Sequence, residues 1–183
     1  MIYIYIDIRA IFNKKGFIAE VTSRALSQYI HEWHDILDSA RRGEGGNKLR
    51  TYRNFKMDFM TEVYCQSFLP RNHRSALAKF RSGVAPIRLE TGRYEGLPVC
   101  DRICPFCDPI LNVEDEKHVL IYCKLYEDLR EVLFHRARSI LSDFYDLSDD
   151  DKLNFILSNH DIVRTSAKTC CLILDRRSCY LYK

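Results

Sequence analysis

The chain is organised around two short stretches, CPFC at positions 104–107 and HVLIYC at positions 118–123. Together they give the spacing C-x2-C-x10-H-x4-C, formed by Cys104, Cys107, His118 and Cys123. Two thiols two residues apart can take adjacent corners of a tetrahedral metal site. An imidazole and a thiol a little over one helical turn apart can take the other two. The spacing therefore predicts a closed Cys3His zinc site.

Chance is a poor explanation of this spacing. With 8 cysteines and 6 histidines in 183 residues, random placement would produce both pairs, in order and within so short a window, with a frequency on the order of 1%. Cys100 lies shortly before Cys104 and is an alternative ligand. The other cysteines (Cys65, Cys170, Cys171 and Cys179) are expected to be small buried apolar residues. Four protein ligands leave no position for a catalytic water, so the predicted zinc is structural.

The composition is that of a soluble globular protein, with 46% hydrophobic and 29% charged residues. The longest uninterrupted apolar run, residues 1–6, is too short to span a bilayer, and the N-terminus does not resemble a secretory signal. We therefore expect an intracellular protein, nuclear or cytoplasmic, with no membrane partner. Its cysteines would stay reduced there, which favours metal binding over disulfides.

The net charge of +3 conceals an uneven distribution. Residues 41–93 contain 12 Lys+Arg against 4 Asp+Glu, whereas residues 108–158 contain 6 Lys+Arg against 12 Asp+Glu. Clustered cations of this kind predict contacts with the phosphates of a nucleic acid, whether RNA or DNA. The alternative is a solvated charged face. The candidate phosphate ligands are Lys48, Arg50, Arg53, Lys56, Arg71, Arg74, Lys79, Arg81, Arg88 and Arg93.

Apolar residues recur at helical spacing over most of the chain. This pattern predicts a mainly α fold: a multi-helix domain with a central zinc-stapled turn and at most a short N-terminal strand, at residues 1–9. The expected helices lie at about 21–37, 47–63, 72–82, 114–123 and 125–140, after Ser148, and from about Asp161. The 72–82 helix should turn Arg71, Arg74 and Arg81 away from its apolar side, and residues 83–103 should be rich in loops.

A glycine-rich break at 43–46 predicts the domain organisation. Residues 1–46 would form an N-terminal segment with one helix and a linker. Residues 47–183 would pack as one domain that contains the basic helices, the zinc turn and the C-terminal helices. The oligomeric state is not predicted.

Motifs typical of catalysis are absent from the sequence. It contains no G-x-x-x-x-G-K-[ST], no G-x-G-x-x-G and no G-x-S-x-G. The three carboxylates at 149–151 suggest a two-metal site, but they directly follow Ser148, which indicates a helix cap. We therefore predict that the chain is not an enzyme.

Several short segments, in order, resemble the C-terminal region of non-LTR retrotransposon reverse transcriptases. They are NKLRTYR (47–53), HRSALAKFR (73–81), LETGRY (89–94), CPFC (104–107), EDEKH (114–118) and CKLYEDLR (123–130). The resemblance covers about residues 29–175. It implies a region that lies downstream of the polymerase, helps to hold template RNA or target DNA, and binds metal through Cys104, Cys107, His118 and Cys123.

The chain departs from such elements in containing no polymerase palm, no Tyr-x-Asp-Asp turn and no endonuclease sequence. We therefore expect a non-catalytic, zinc-stabilised nucleic-acid-binding module. One alternative is a structural or protein-interaction helical scaffold, a retrotransposon remnant without affinity for nucleic acid. A truncated nuclease-associated segment is less consistent with the sequence, because no carboxylate cluster suited to nuclease catalysis can be recognised in it.

Overall fold

The computed structural model describes residues 14–41, 49, 51–56, 58–107 and 113–181. The chain divides into two compact units, Met1–Asn47 and Lys48–Lys183. The predicted N-terminal strand and the glycine-rich break lie outside the described residues.

The described part of the first unit is one helix, α1 (Lys14–Arg41). It contains the whole of the helix predicted over residues 21–37. Apolar residues occur at four-residue spacing along it, but Val21 and Tyr29 are 48% and 58% exposed, whereas Leu37 is buried.

The second unit is built from helices and short helical turns, and the prediction of a mainly α fold is confirmed. Its α-helices are α2 (Val63–Gln66), α3 (Arg71–Ser82), α4 (Arg88–Tyr94), α5 (Glu127–Ile140), α6 (Asp149–Ser158) and α7 (Val163–Leu181). A π-helical turn spans His118–Tyr122. Among the described residues, extended chain pairs only at an isolated antiparallel bridge, Ile103 to Val113. No described helix has the length and apolar character needed to cross a membrane.

Helix α7 is the centre of this unit and packs against α3, α5 and α6. Small buried residues on α7, including Ala167 and Cys170, allow these neighbours to approach closely. From α3, the fully buried Leu77 and Phe80 join the same core. Of the cysteines expected to be buried, Cys170 and Cys171 are, whereas Cys65 and Cys179 are exposed.

Two helix boundaries follow directly from local sequence. Helix α3 ends at Gly83, whose φ of +72° allows Val84 N to donate to Lys79 O at 2.9 Å. Helix α6 begins after Ser148, whose Oγ accepts from Asp151 N at 3.2 Å. The predicted helix over 72–82 and the predicted cap are therefore confirmed.

Two other expectations were wrong. The helix expected over residues 47–63 is, within the described residues, a 3₁₀ turn at Tyr52–Asn54 followed by the short α2. Conversely, α4 forms inside the expected loop region. Its first turn is held by Glu114: Leu89 N donates to the Glu114 carbonyl at 3.0 Å, and Arg88 N donates to its carboxylate at 2.6 Å. Because this cap comes from a distant residue, local sequence does not reveal it.

A buried cluster of charges around Glu62 explains how the 51–66 segment packs on α3. Lys56 Nζ lies 2.9 Å from Glu62 Oε1, and Arg81 forms an ion pair with the other carboxylate oxygen. The Arg81 guanidinium also donates to Leu157 O and lies 4.3 Å from the ring centroid of Phe55. Burial lowers the pKa of Arg81, and the Glu62 carboxylate opposes that shift. Burial of the arginine is therefore tolerated because an anion faces it.

Replacing Arg81 with methionine tests this cluster. We expect Arg81→Met to lower the free energy of unfolding by about 3 kcal/mol, because it removes a buried ion pair with Glu62 and a hydrogen bond to Leu157 O. Arg71→Met, on the exposed side of the same helix, should change it by less than about 0.5 kcal/mol. Urea denaturation followed by circular dichroism measures both. Equal, small changes in the two variants would contradict the structural role of Arg81.

Candidate metal centre

The structure brings together the four residues that the sequence spacing singled out. One ligand atom from each of Cys104, Cys107, His118 and Cys123 lies within 4.8 Å of every other. The Sγ atoms of Cys104 and Cys123 are 3.8 Å apart, and those of Cys107 and Cys123 are 3.6 Å apart. His118 Nε2 is 3.6 Å from Cys107 Sγ.

These separations match a tetrahedral metal site. Metal–sulfur bonds of about 2.3 Å and a metal–nitrogen bond of about 2.0 Å, as found for zinc, place neighbouring sulfurs about 3.8 Å apart and sulfur and nitrogen about 3.5 Å apart. Three thiols and an imidazole are also the soft and borderline donors that bind zinc-like ions. The four residues can therefore hold a metal ion with little rearrangement.

Cys104 and Cys107 reach the site from a turn that is closed by the Ile103–Val113 bridge. Next to the bridge, Glu114 N donates to Arg102 O at 2.9 Å. Between the two cysteines, Phe106 packs edge-on against Tyr126 and Tyr180 at centroid distances of 6.5 and 6.2 Å. Through Phe106, these contacts anchor the turn to the core.

His118 and Cys123 are aligned by the π-helical turn. In an α-helix, residues five apart would lie about 140° apart around the axis. Here Cys123 N donates to His118 O at 2.8 Å, the i→i+5 bond of a π-helix, which stacks the two residues on one side. Asp115 Oδ1 accepts from His118 N at 2.6 Å and holds the start of the turn.

The carboxylates at 149–151 help to place this turn. Besides forming the first turn of α6, Asp149 accepts a hydrogen bond from Tyr122 Oη, and Asp150 pairs with Lys117. Both partners flank or lie within the π-helical turn. The acidic run therefore caps one helix and secures a second element, and neither role requires a metal.

The site is largely enclosed. Cys104 and Cys123 are 2% and 0% exposed and belong to the hydrophobic core, whereas Cys107 is half-buried. His118 is buried and its Nε2 faces the sulfurs. Its Nδ1 has no hydrogen-bond partner among the described residues. With four protein donors and no open position, the arrangement suits a structural metal and not one that activates water.

The thiols share their protons unequally. A hydrogen bond from Cys123 lowers the pKa of Cys104 to about 4, against the opposing effect of burial. The same hydrogen bond, together with burial, raises the pKa of Cys123. One thiolate therefore forms readily, and the second is opposed by the first. A bound divalent cation supplies the positive charge that allows all the sulfurs to lose their protons.

Cys100, the alternative ligand, is exposed and lies outside the group of converging donors. The short 3₁₀ turn Val99–Asp101 contains it. The ligand set is therefore the one that the sequence spacing indicates.

The predicted phosphate-binding residues differ in burial and in pairing. Lys48 and Arg50 lie outside the described residues. Contrary to expectation, Lys56 and Arg81 are 7% and 5% exposed, and both pair with the carboxylate of Glu62. Helix periodicity predicted a free face for Arg81, but the 51–66 segment covers that face.

The remaining predicted residues are paired or exposed. Arg74 is half-buried and donates to the Ser67 and Leu69 carbonyls, both at 3.3 Å, and Arg53 is half-buried. Arg88 pairs with Glu95, and Arg93 pairs with Glu90. Arg71 and Lys79 are exposed and form no ion pair within the described part of the chain.

Sequence reasoning missed an exposed aromatic residue and two further cations. Phe68 is 90% exposed. It lines an open groove of about 530 Å³ together with Val163, Arg164 and Asp161. Arg164 and Lys168 are exposed one turn apart on α7. One signal in the sequence could have indicated Phe68. It lies just before Pro70, between the two predicted helices, and belongs to the apolar face of neither.

Comparison of the chain with protein-family models, with curated proteins and with solved structures finds no match. The assignment of the site therefore depends on its own geometry and chemistry.

Removing one ligand tests the metal centre. Cys107→Ser should abolish stoichiometric zinc binding and melt the turn and its neighbours, because structural zinc contributes about 10–16 kcal/mol of apparent binding energy in small zinc domains. Cys100→Ser, a nearby exposed cysteine, should retain one zinc per chain. Metal analysis and thermal denaturation with and without chelator provide the measurements. Equal zinc content in the two variants would refute the ligand assignment.

Proposed function

We propose that the chain is a non-catalytic, zinc-stabilised module that binds nucleic acid, of the kind that accompanies non-LTR retrotransposon reverse transcriptases. The observation that carries the proposal is the convergence of Cys104, Cys107, His118 and Cys123 in a closed, structural geometry. Among the features that carry the resemblance, these four residues are the ones with a chemical function of their own. Three sulfurs and one imidazole nitrogen favour zinc.

Four exposed cations support the nucleic-acid part of the proposal. On α3, Arg71 and Lys79 lie eight residues apart in one exposed row. On α7, which packs against α3, Arg164 and Lys168 lie one turn apart. None of the four forms an ion pair within the described residues, so their charges are available to phosphates. We refer to them as the α3/α7 cations.

Phe68 favours a single-stranded ligand. It is 90% exposed, precedes Arg71 by three residues and shares a groove with Arg164. A base can stack on an exposed ring while nearby cations bind its flanking phosphates, and this combination is typical of proteins that bind single strands. Duplex bases are already stacked on one another, so they would gain little from Phe68. Asp161 in the same groove limits how closely a phosphate approaches there.

A helical scaffold without affinity for nucleic acid is the second candidate. It is favoured by the internal pairing of Lys56, Arg81, Arg88 and Arg93, which removes much of the positive charge that the sequence count suggested. In that case the metal would only staple the fold, and Phe68 would contact another protein.

Titration of labelled oligonucleotides separates the two functions. We expect the zinc-loaded chain to bind a single strand more tightly than a duplex at low ionic strength. Its affinity should fall as salt rises, with a slope of about 0.7 for each phosphate contact. Fluorescence anisotropy measures both. Undetectable binding at low salt, or binding that salt does not weaken, would favour the scaffold.

Variants locate the contact surface. Phe68→Ala should weaken single-strand binding by about 1–3 kcal/mol for the base that it stacks, and Arg164→Glu with Lys168→Glu should weaken it further and flatten the salt dependence. Arg136→Glu, an exposed cation of α5, is the control and should have little effect. Equal losses for control and test variants would show that only net charge matters.

A further inference from the structure

Arg130 is a buried cation beside the metal centre. It lies in the first turn of α5, is 7% exposed, and donates a hydrogen bond from Nη1 to the Cys123 carbonyl oxygen. Transferring a guanidinium from water to a protein interior is costly unless an anion compensates its charge.

The other buried arginines of this unit show how that cost is met. Arg81 pairs with Glu62, and Arg177 donates to both carboxylate oxygens of the fully buried Glu114, at 3.1 and 2.6 Å. Arg130 differs, because no carboxylate among the described residues lies within ion-pair distance of it. Within the part of the chain that the structure describes, its counter-charge must therefore come from another kind of group.

Neighbouring charges identify that group. Glu127 and Asp128, on the same helix, are exposed, and Asp128 is already bound by Arg176. The guanidinium of Arg130 instead contacts the backbone of Cys123, whose buried sulfur is one of the four converging donor atoms. The sulfurs of this group, once a metal ion has displaced their protons, can therefore supply the missing negative charge.

We propose that Arg130 is the counter-charge of the metal centre, an inference that rests on the proposed zinc site. A divalent cation, three thiolates and a neutral imidazole carry a net charge of −1. One guanidinium brings the buried group to neutrality. Arg130 is a positioning residue that binds no metal itself. Its positive charge suits a site with three thiolates. A divalent cation bound by two thiolates and two neutral imidazoles has no net charge, so the charge of Arg130 would then have no counter-charge.

Zinc affinity, measured by competition with a chromogenic chelator, provides the first test. Arg130→Met should weaken zinc binding by about 10–100-fold, the usual effect of removing a group that supports metal ligands. Arg130→Lys keeps the charge and should recover part of that loss. Arg136→Met, exposed on the same helix, should bind zinc as the unaltered chain does. Equal affinity in the Arg130→Met variant and the unaltered chain would overturn the proposal.

A double-mutant cycle distinguishes charge compensation from packing. Cys107 is the half-buried ligand, so Cys107→His offers the most room for a Cys2His2 site with one negative charge fewer. If Arg130 acts through its charge, Arg130→Met should cost much less zinc affinity in the Cys107→His background than in the original chain. If the loss is the same in both backgrounds, Arg130 acts only through packing and its hydrogen bond, and the proposal fails.

The experiment remains informative if the Arg130→Met single variant does not fold. Charge compensation then requires that the double variant recover zinc binding and helical circular dichroism, and failure to recover would overturn the inference. The proposed zinc site is judged separately. If the unaltered chain binds no zinc, the site itself is wrong, whereas normal zinc binding that is insensitive to Arg130→Met removes only the role of Arg130.

Discussion

The meeting of three sulfurs and one imidazole nitrogen in the interior is the constraint on which the second unit depends. Cys104 and Cys123 belong to the same hydrophobic cluster as Leu120 and Leu133, so the ligands and the apolar core are parts of one packed region. The apparent binding energy of a structural zinc, about 10–16 kcal/mol, is comparable to the total stability of an ordinary domain, about 5–15 kcal/mol. A structural metal bound at these four residues would therefore couple metal binding to the folding of this unit.

Buried charge is the second organising feature, and it extends outward from the metal centre. Glu114 is fully buried and connects three elements: it binds Arg177 of α7, holds the start of α4, and adjoins the bridge that closes the cysteine turn. Phe106, between the two cysteines, lies 5.8 Å from the Arg177 guanidinium. The turn is thus supported by a paired charge and by aromatic contacts.

Local rules predicted the elements whose signals are local. Helix α3 ends at a glycine with positive φ, and α6 begins at a serine whose hydroxyl caps it; both features can be recognised in the sequence. Helix α4 was missed because its cap comes from Glu114, 26 residues from Arg88. The helix expected over 47–63 does not form as a single element, because Glu62 pairs with Arg81 of α3 as well as with Lys56 and so ties the segment to α3.

The sequence by itself determined the mainly α class and the four candidate ligands, because helical periodicity, caps and ligand spacing are properties of neighbouring residues. Only the tertiary structure decided which cations remain at the surface, because an acidic partner can come from any part of the chain. It also placed Arg130 against the backbone of Cys123 and left Phe68 exposed. A count of charges along the chain identifies a basic region, but the packing of that region determines how much of its charge faces solvent.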